Sequence, residues 1–283
     1  MPTVLSVQSR VAYGHVGNAA SVFPLQRLGI EAWALDTVAF SNHTGHGRWR
    51  GSVVPASEIA SLFQGIAELG ILPHIDAVLS GYLGGAATGP VLLDIVERVK
   101  SANPAALFCV DPVIGDVDTG SYVTEGIAEF FRDRALRLAD IATPNQFELE
   151  YLVGSPVASL TAAANAAAAL RARGPGIVLV TSLAAAPAQS DHVTMLASGP
   201  DGAWAVETPR LPIVLNGCGD VTAALFLAHL LRGESLPDAL ATTAASIFAV
   251  IETTLHAGRY ELALVAAQDE LAAPSRRFAA RRL

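Results

Sequence analysis

Asn216-Gly217-Cys218-Gly219-Asp220-Val221-Thr222-Ala223-Ala224-Leu225-Phe226-Leu227-Ala228 joins a glycine turn to an uninterrupted apolar helical run. Two glycines let the backbone turn tightly and aim several N–H groups in one direction. The helix start adds its own unbonded N–H groups and the positive end of its dipole. The result is an anion cradle with a carboxylate, Asp220, at its lip. Such a cradle suits phosphoryl transfer: amides bind charge growing on the phosphate, and a base draws the proton from an attacking hydroxyl. The same residues also read as a plain glycine turn with Asp220 as N-cap, and taken alone the turn favours that simpler reading.

The rest of the chain supplies the context. Short apolar runs at 3–7, 31–37, 77–80, 106–110, 141–142 and 177–180 read as mostly buried strands. Helical patterns fall between and after them, at 18–28, 58–69, 88–102, 126–135, 147–153 and 160–173. This alternation predicts an α/β fold: a central, mostly parallel sheet flanked by helices. Two later strands, 192–197 and 203–207, are joined by Ser198-Gly199-Pro200-Asp201-Gly202, which predicts a hairpin at an antiparallel sheet edge. Two or three helices finish the chain. With no Pro/Ser/Gly-rich linker, residues 1–283 are expected to form one domain.

Composition narrows the function. The chain is 52% hydrophobic and 16% charged, enough for a sizeable core, and its formal charge of -8 argues against binding a nucleic-acid backbone. The cluster Arg276, Arg277, Arg281 and Arg282 reads as a solvated end. Cys109 and Cys218 form neither a disulfide framework nor a zinc spacing. The N-terminus lacks a signal-peptide pattern and no stretch resembles a membrane span, so a cytoplasmic protein is expected.

In open α/β sheets ligands bind beyond the carboxyl ends of the strands. Polar motifs occur there. Ser9 follows the first strand, as a ligand partner or as part of a generic loop. Phe40-Ser41-Asn42-His43-Thr44-Gly45-His46-Gly47 follows the second, with Phe40 able to stack on a flat ring. His43 and His46 lack a further ligand in the sequence around them, so loop chemistry is favoured over a metal. Tyr82 closes over a ligand or packs in the core, with neither favoured. Asp111 ends a strand at Pro112, a position that suits Mg²⁺ or a phosphate-bound cation. Gly115–Tyr122 reads either as a lid or as a plain exposed loop. In Thr143-Pro144-Asn145-Gln146-Phe147-Glu148, Glu148 complements a helix dipole or, with Asp111 and Asp116, supplies oxygens to Mg²⁺ and its waters.

Together these segments resemble pyridoxal kinases of the ribokinase-like superfamily, over nearly the whole chain. Phe40-Ser41-Asn42-His43-Thr44 is the most specific part, because it separates these enzymes from sugar kinases. The resemblance implies a ribokinase-like three-layer sandwich and transfer of the ATP γ-phosphate to the 5′-hydroxyl of pyridoxal, pyridoxine or pyridoxamine, in vitamin B6 salvage. A hydroxymethylpyrimidine kinase and a low-turnover vitamin B6 binding protein are the rival readings. It further implies Asp220 as catalytic base and the amides of Gly217, Cys218 and Gly219 as anion hole. Ser9, Val16, Phe40, Thr44, Gly45 and Tyr82 would surround the pyridine ring. Asp111, Asp116, Thr143, Asn145 and Glu148 would serve the ATP phosphates, with Asp116, Thr143 and Glu148 managing Mg²⁺ and a monovalent cation such as K⁺. Thr181, Ser182, Thr208, Pro209, Arg210 and Leu211 would lie along the nucleotide. Members are usually homodimers. The family commonly has Thr or Val where this chain has Cys218, and a thiol at a helix N-terminus is expected to have a depressed pKa and to be prone to oxidation.

Overall fold

The structure is a computed structural model that describes residues 1–117, 120–183 and 191–283. Parallel strands β1 (Thr3–Val11), β2 (Glu31–Phe40), β4 (Ala77–Ser80), β5 (Leu107–Val110) and β8 (Ile141–Ala142) follow the expected runs, several of them extended by a few residues. They join β3 (Gly51–Val53), β9 (Ile177–Leu183), β10 (His192–Gly199), β11 (Gly202–Pro209) and β12 (Arg281–Arg282) in one sheet. Its order is β12-β11-β10-β9-β8-β5-β4-β1-β2-β3. The pairings from β2 through β9 are parallel. Both ends are antiparallel: β3 on β2 at one, and β9, β10, β11 and β12 at the other.

Helices cover both faces, so the strands are apolar on both sides and their residues alternate between two cores. Leu5, Val78, Phe108, Val110, Val178 and Val180 point into one core, and Val4, Ala77, Leu79, Cys109 and Leu179 into the other. The first core is roofed by α2 (Ala56–Glu68), α3 (Thr88–Ala102), α4 (Ile127–Phe130), α5 (Leu136–Leu138), α6 (Gln146–Val153) and α7 (Leu160–Arg171). The second lies under α1 (Asn18–Arg27), α8 (Cys218–Leu231), α9 (Leu236–His256) and α10 (Gln268–Ala272). Helix α9, at 21 residues, is by length and composition apolar enough to cross a membrane, contrary to the expectation that no stretch resembles a span; in the fold it packs against β10, β11 and α8.

Several expectations change. The helix expected at 126–135 is broken: a π turn at Phe131–Ala135 separates α4 from α5, where consecutive Phe130 and Phe131 are both buried. The β10–β11 hairpin forms but is not the edge, because the C-terminal strand β12 pairs outside β11. The arginine cluster is therefore not simply a solvated end. Arg281 pairs with Glu207 at 3.2 Å, Arg276 pairs with Glu252 at 2.8 Å, and Arg282 lies over Trp204 and donates to the Asp201 carbonyl. The stretch expected as a lid or loop forms a small ladder of β6 (Gly115–Asp116) and β7 (Gly120–Ser121); Asp118 and Thr119 lie outside the described residues.

A buried polar clasp fixes the end of the sheet where the loops emerge. Asn18, at the start of α1, accepts from Ser6 Oγ at 2.7 Å and donates to the Gln8 and Leu35 carbonyls and to Asp36. It thereby ties α1 to both β1 and β2. Asn18→Ala leaves these partners unpaired in a dry environment and is expected to cost about 2–3 kcal/mol. Urea denaturation measures it; an unchanged midpoint removes Asn18 as the clasp.

Candidate active site

All five parallel strands from β2 to β8 point their carboxyl ends to the same edge, so their following loops meet there. Two concavities open on this edge. The larger, of about 280 Å³, collects Ser9, Val16, Phe40, Thr44, Gly45 and Tyr82, the six residues expected around a ring, with Gly217 and Asp220 at its far wall. The smaller, of about 210 Å³, collects Thr181, Ser182, Thr208, Pro209, Arg210 and Leu211, the residues expected along a nucleotide. Cys218, Gly219 and Thr222 form its wall. The start of α8 is thus the partition between the two spaces.

The cap reading of Asp220 fails on geometry. Gly217 is the N-cap of α8, in the left-handed region at φ 86°, with no side-chain cap bond, and Asp220 sits in the first helical turn. Its carboxylate accepts from the Gly17 N–H and from its own amide. Burial raises its pKa from 3.8 to about 6, against those two bonds. Cys218 behaves opposite to expectation: burial first, then the Asp220 charge, pushes the thiol up to about 12. The helix start does not deliver a reactive thiolate, and the proposed redox sensitivity loses its basis.

Beneath the glycine turn lies a layer of buried acids. Asp111 is 5% and Glu148 3% exposed. Thr143 Oγ1 donates to Asp111 at 3.1 Å, and the Asp111 carboxylate reaches toward Gly219. The pKa of Asp111 is raised well above its ordinary value, by burial first and then by Glu148 and Asp220, with only the Thr143 bond opposing. Glu148 rises to about 7 through burial, although the amides of Asn145, Ile114 and Gly115 bond to its carboxylate. Carboxylates crowded in this way, with no basic group among the described residues acting on Asp111, form a site deficient in positive charge, which fits a cation.

Asn145 and Glu148 also form a reciprocal capping box on α6, and Asn145 donates to the Gly115 carbonyl at 2.7 Å. Both side chains are engaged in holding the β6 strand to the helix. Asp116, expected with the phosphates, lines the larger cavity instead. Sequence reading missed Val11, Val38, His43, Val113, Tyr122 and Asn216 as cavity lining. Val113 carries a signal only in its backbone: φ is 30°, a strained value for a β-branched residue.

A family model described as phosphomethylpyrimidine kinase matches residues 72–264. A pyridoxal kinase PdxY of Rubrobacter xylanophilus is 55% identical over 281 residues, covering 99% of this chain and 97% of that protein. A pyridoxal kinase PdxY of Corynebacterium diphtheriae is 47% identical, covering 97% of each. Among solved structures, pyridoxal kinase from Leishmania donovani in complex with ADP and pyridoxamine superposes with a TM-score of 0.92 at 30% identity, over 99% of both chains. Its complex with ADP and ginkgotoxin gives 0.94 at 29% identity, over 100% of both.

The partition depends on a close backbone approach. A Cβ on Gly217 would lie 1.9 Å from the His15 carbonyl oxygen, and the φ there is unfavourable to any L side chain. Gly217→Ala is expected to destabilise the fold by ~1–3 kcal/mol through backbone strain alone. A denaturation midpoint equal to that of the parent protein would show that the two loops do not need this contact.

Proposed function

The chain belongs to the pyridoxal kinase family, and from that premise we propose that it transfers the γ-phosphoryl group of ATP to the 5′-hydroxyl of pyridoxal, with pyridoxine and pyridoxamine as further acceptors. The ribokinase-like sheet runs unbroken from β3 to β12, so residues 1–283 are read as one kinase domain. The observation that carries the reading is the partition: Asp220 and Gly217 face one cavity, while Cys218 and Gly219 face the other. A hydroxyl on one side and a phosphate chain on the other would meet across the start of α8.

In this reading the larger cavity takes the vitamin. Its volume is close to the lower end for small-molecule sites, it is walled by Val11, Val16, Val38 and Phe40, and Ser9, Thr44 and Tyr82 bring polar groups to its edge. Apolar walls hold a flat ring and exclude water, while the few polar groups orient it. Asp220 accepts the proton of the attacking hydroxyl; with a pKa of about 6 it is ionised near neutrality and still basic enough to take a proton. The first N–H groups of α8 have no intrahelical acceptor and stabilise charge on the phosphoryl oxygens as it develops. Residues 208–211 and Thr181 and Ser182 bind the nucleotide. Mg²⁺ would be held by Asp111 and Glu148, directly or through water, with Thr143 fixing Asp111. When bound, it would neutralise phosphate charge. A monovalent cation and a homodimeric assembly follow from the family alone.

The matching family model is described as phosphomethylpyrimidine kinase, which supports a substituted methylpyrimidine, hydroxymethylpyrimidine among them, as the rival acceptor. Purified protein with Mg-ATP is expected to phosphorylate pyridoxal in a coupled assay; phosphorylation of the pyrimidine alone would overturn the choice. Asp220→Ala is expected to lower kcat by at least ~100-fold, the lower end for a positioned base, with pyridoxal still bound. In the parent protein kcat/KM is expected to fall as pH drops through about 6, where Asp220 becomes protonated. A profile flat from pH 5 to 8 would remove Asp220 from the proton transfer.

The same shift makes a stability claim. A carboxyl whose folded pKa is raised from 3.8 to about 6 favours folding when protonated, and that contribution is lost as pH rises across this interval. At pH 7.5 Asp220 therefore destabilises the protein. Asp220→Asn is expected to raise stability there by on the order of 1 kcal/mol, after solvent screening of a partly exposed group is discounted. At pH 4 the gain should vanish, and equal effects at both pH values would contradict the account.

A further inference from the structure

Outside the acid layer, one cluster of ligating side chains is not used by the phosphoryl-transfer reading. His43 and His46 sit on the loop after β2, around a 3₁₀ turn at Thr44–His46. Glu261 comes from the far end of the chain. Both imidazole Nε2 atoms meet the same Glu261 oxygen, His43 at 2.9 Å and His46 at 2.7 Å. The side chain of Glu261 is 4% exposed, that of His43 11% and that of His46 35%. All three donor atoms lie within 4.8 Å of one another. Bonds of about 2.0–2.2 Å in a tetrahedral zinc site place ligand atoms roughly 3.3–3.5 Å apart. The two contacts to Glu261, at 2.9 and 2.7 Å, would lengthen by roughly half an ångström or a little more to reach that spacing.

We propose that His43 Nε2, His46 Nε2 and the Glu261 carboxylate form a binding site for a borderline divalent metal ion of the Zn²⁺ class, with a water in the fourth position. Two imidazoles and a carboxylate are a ligand set that Zn²⁺ accepts. The carboxylate is already oriented by a second contact, since its other oxygen accepts the His15 N–H at 3.2 Å. The Nδ1 of His43 is buried without a hydrogen-bond partner among the described residues, so no second bond locks its proton on Nε2. An ion that replaces the Nε2–H···Glu261 bond would move that proton to Nδ1 and leave Nε2 as the ligand. His46 is the most accessible of the three and gives an ion its route in.

The site has a structural consequence. Glu261 links the loop after β1, through His15, to the loop after β2, through His43 and His46. His43, Thr44 and Gly45 line the larger cavity, so an ion here would clamp one wall of it. The proposal does not depend on the kinase reading, because metal uptake is read without nucleotide or vitamin.

Chelator-treated protein titrated with CoCl₂ alone should develop the intense visible bands of four-coordinate Co²⁺, and equilibrium dialysis against ZnCl₂ should give one tight site. His46→Gln should weaken uptake by at least ~10-fold, the smallest loss expected even for a residue that only supports a ligand. Glu261→Gln, which keeps the size of the side chain and removes its charge, should do the same while the far-ultraviolet circular dichroism stays unchanged. Asp220→Asn should retain full uptake. Absence of the bands in the parent protein, or equal uptake by His46→Gln, would overturn the proposal. So would uptake lost in Asp220→Asn but kept in His46→Gln, because the ion would then sit among the buried acids.

Discussion

The site hangs on one backbone contact: the turn at 14–17 packed against the turn at 216–220. Each turn has a glycine that nearby backbone leaves no room to replace, and for Gly217 that backbone belongs to the other turn. A Cβ on Gly17 would meet the Ser9 carbonyl oxygen at 2.1 Å, and one on Gly217 would meet that of His15 at 1.9 Å. Both residues have positive φ, so sterics and conformation demand glycine together. The contact also carries the hydrogen bond from Gly17 N–H to Asp220, and Ser21 Oγ adds a bond to the Asp220 carbonyl at 3.2 Å. A segment near the N-terminus and a helix some two hundred residues later are thereby fixed to each other. Displacing either by an ångström would shift the carboxylate relative to the larger cavity, and for the proton transfer proposed above reactive geometry is sensitive to errors of that size.

Around that contact the fold tolerates electrostatics it would otherwise avoid. Asp111, Glu148 and Asp220 are all harder to ionise than in water, and burial is the first cause in each case. Their cost is offset by the two apolar cores that sandwich the sheet, and none of the three has an ion pair among the described residues. Glu148 shows the compromise within one residue. Three backbone amides bond to its carboxylate and favour its charge, yet desolvation still prevails and lifts it to about 7.

Much of this was legible in sequence because the parallel sheet converts strand ends into neighbours. Once β1, β2, β4, β5 and β8 are read as parallel, Ser9, Phe40, Tyr82, Asp111 and Thr143 must approach one another, whatever the loops do. The resemblance of those segments to one family then supplied the roles. What sequence could not supply depends on contacts between distant segments. Glu261 stands 215 residues from His46, and nothing in its surroundings marks it as the partner of two histidines. The strand β12 is two residues long and exposed, without an apolar pattern to announce it. Asp116 lines the larger cavity from the β6–β7 ladder, and a ladder of four residues leaves no periodicity to read.

Cys218 is where two sound rules compete and magnitude decides. A helix N-terminus favours negative charge by about 0.3–1 kcal/mol, up to ~2 in partly buried geometry. Against it stand burial and the neighbouring Asp220 carboxylate, which together carry the thiol from 9.0 to about 12. That rise corresponds to roughly 4 kcal/mol before solvent screening is discounted, more than the helix start can return. Cys218 therefore stays neutral across the physiological range. For a turn that faces a polyphosphate this is the useful outcome: a thiolate there would repel the phosphate that the adjacent amides attract. The neutral thiol lines the smaller cavity as an uncharged group, and in the function proposed above it is the backbone N–H of Cys218 that would act.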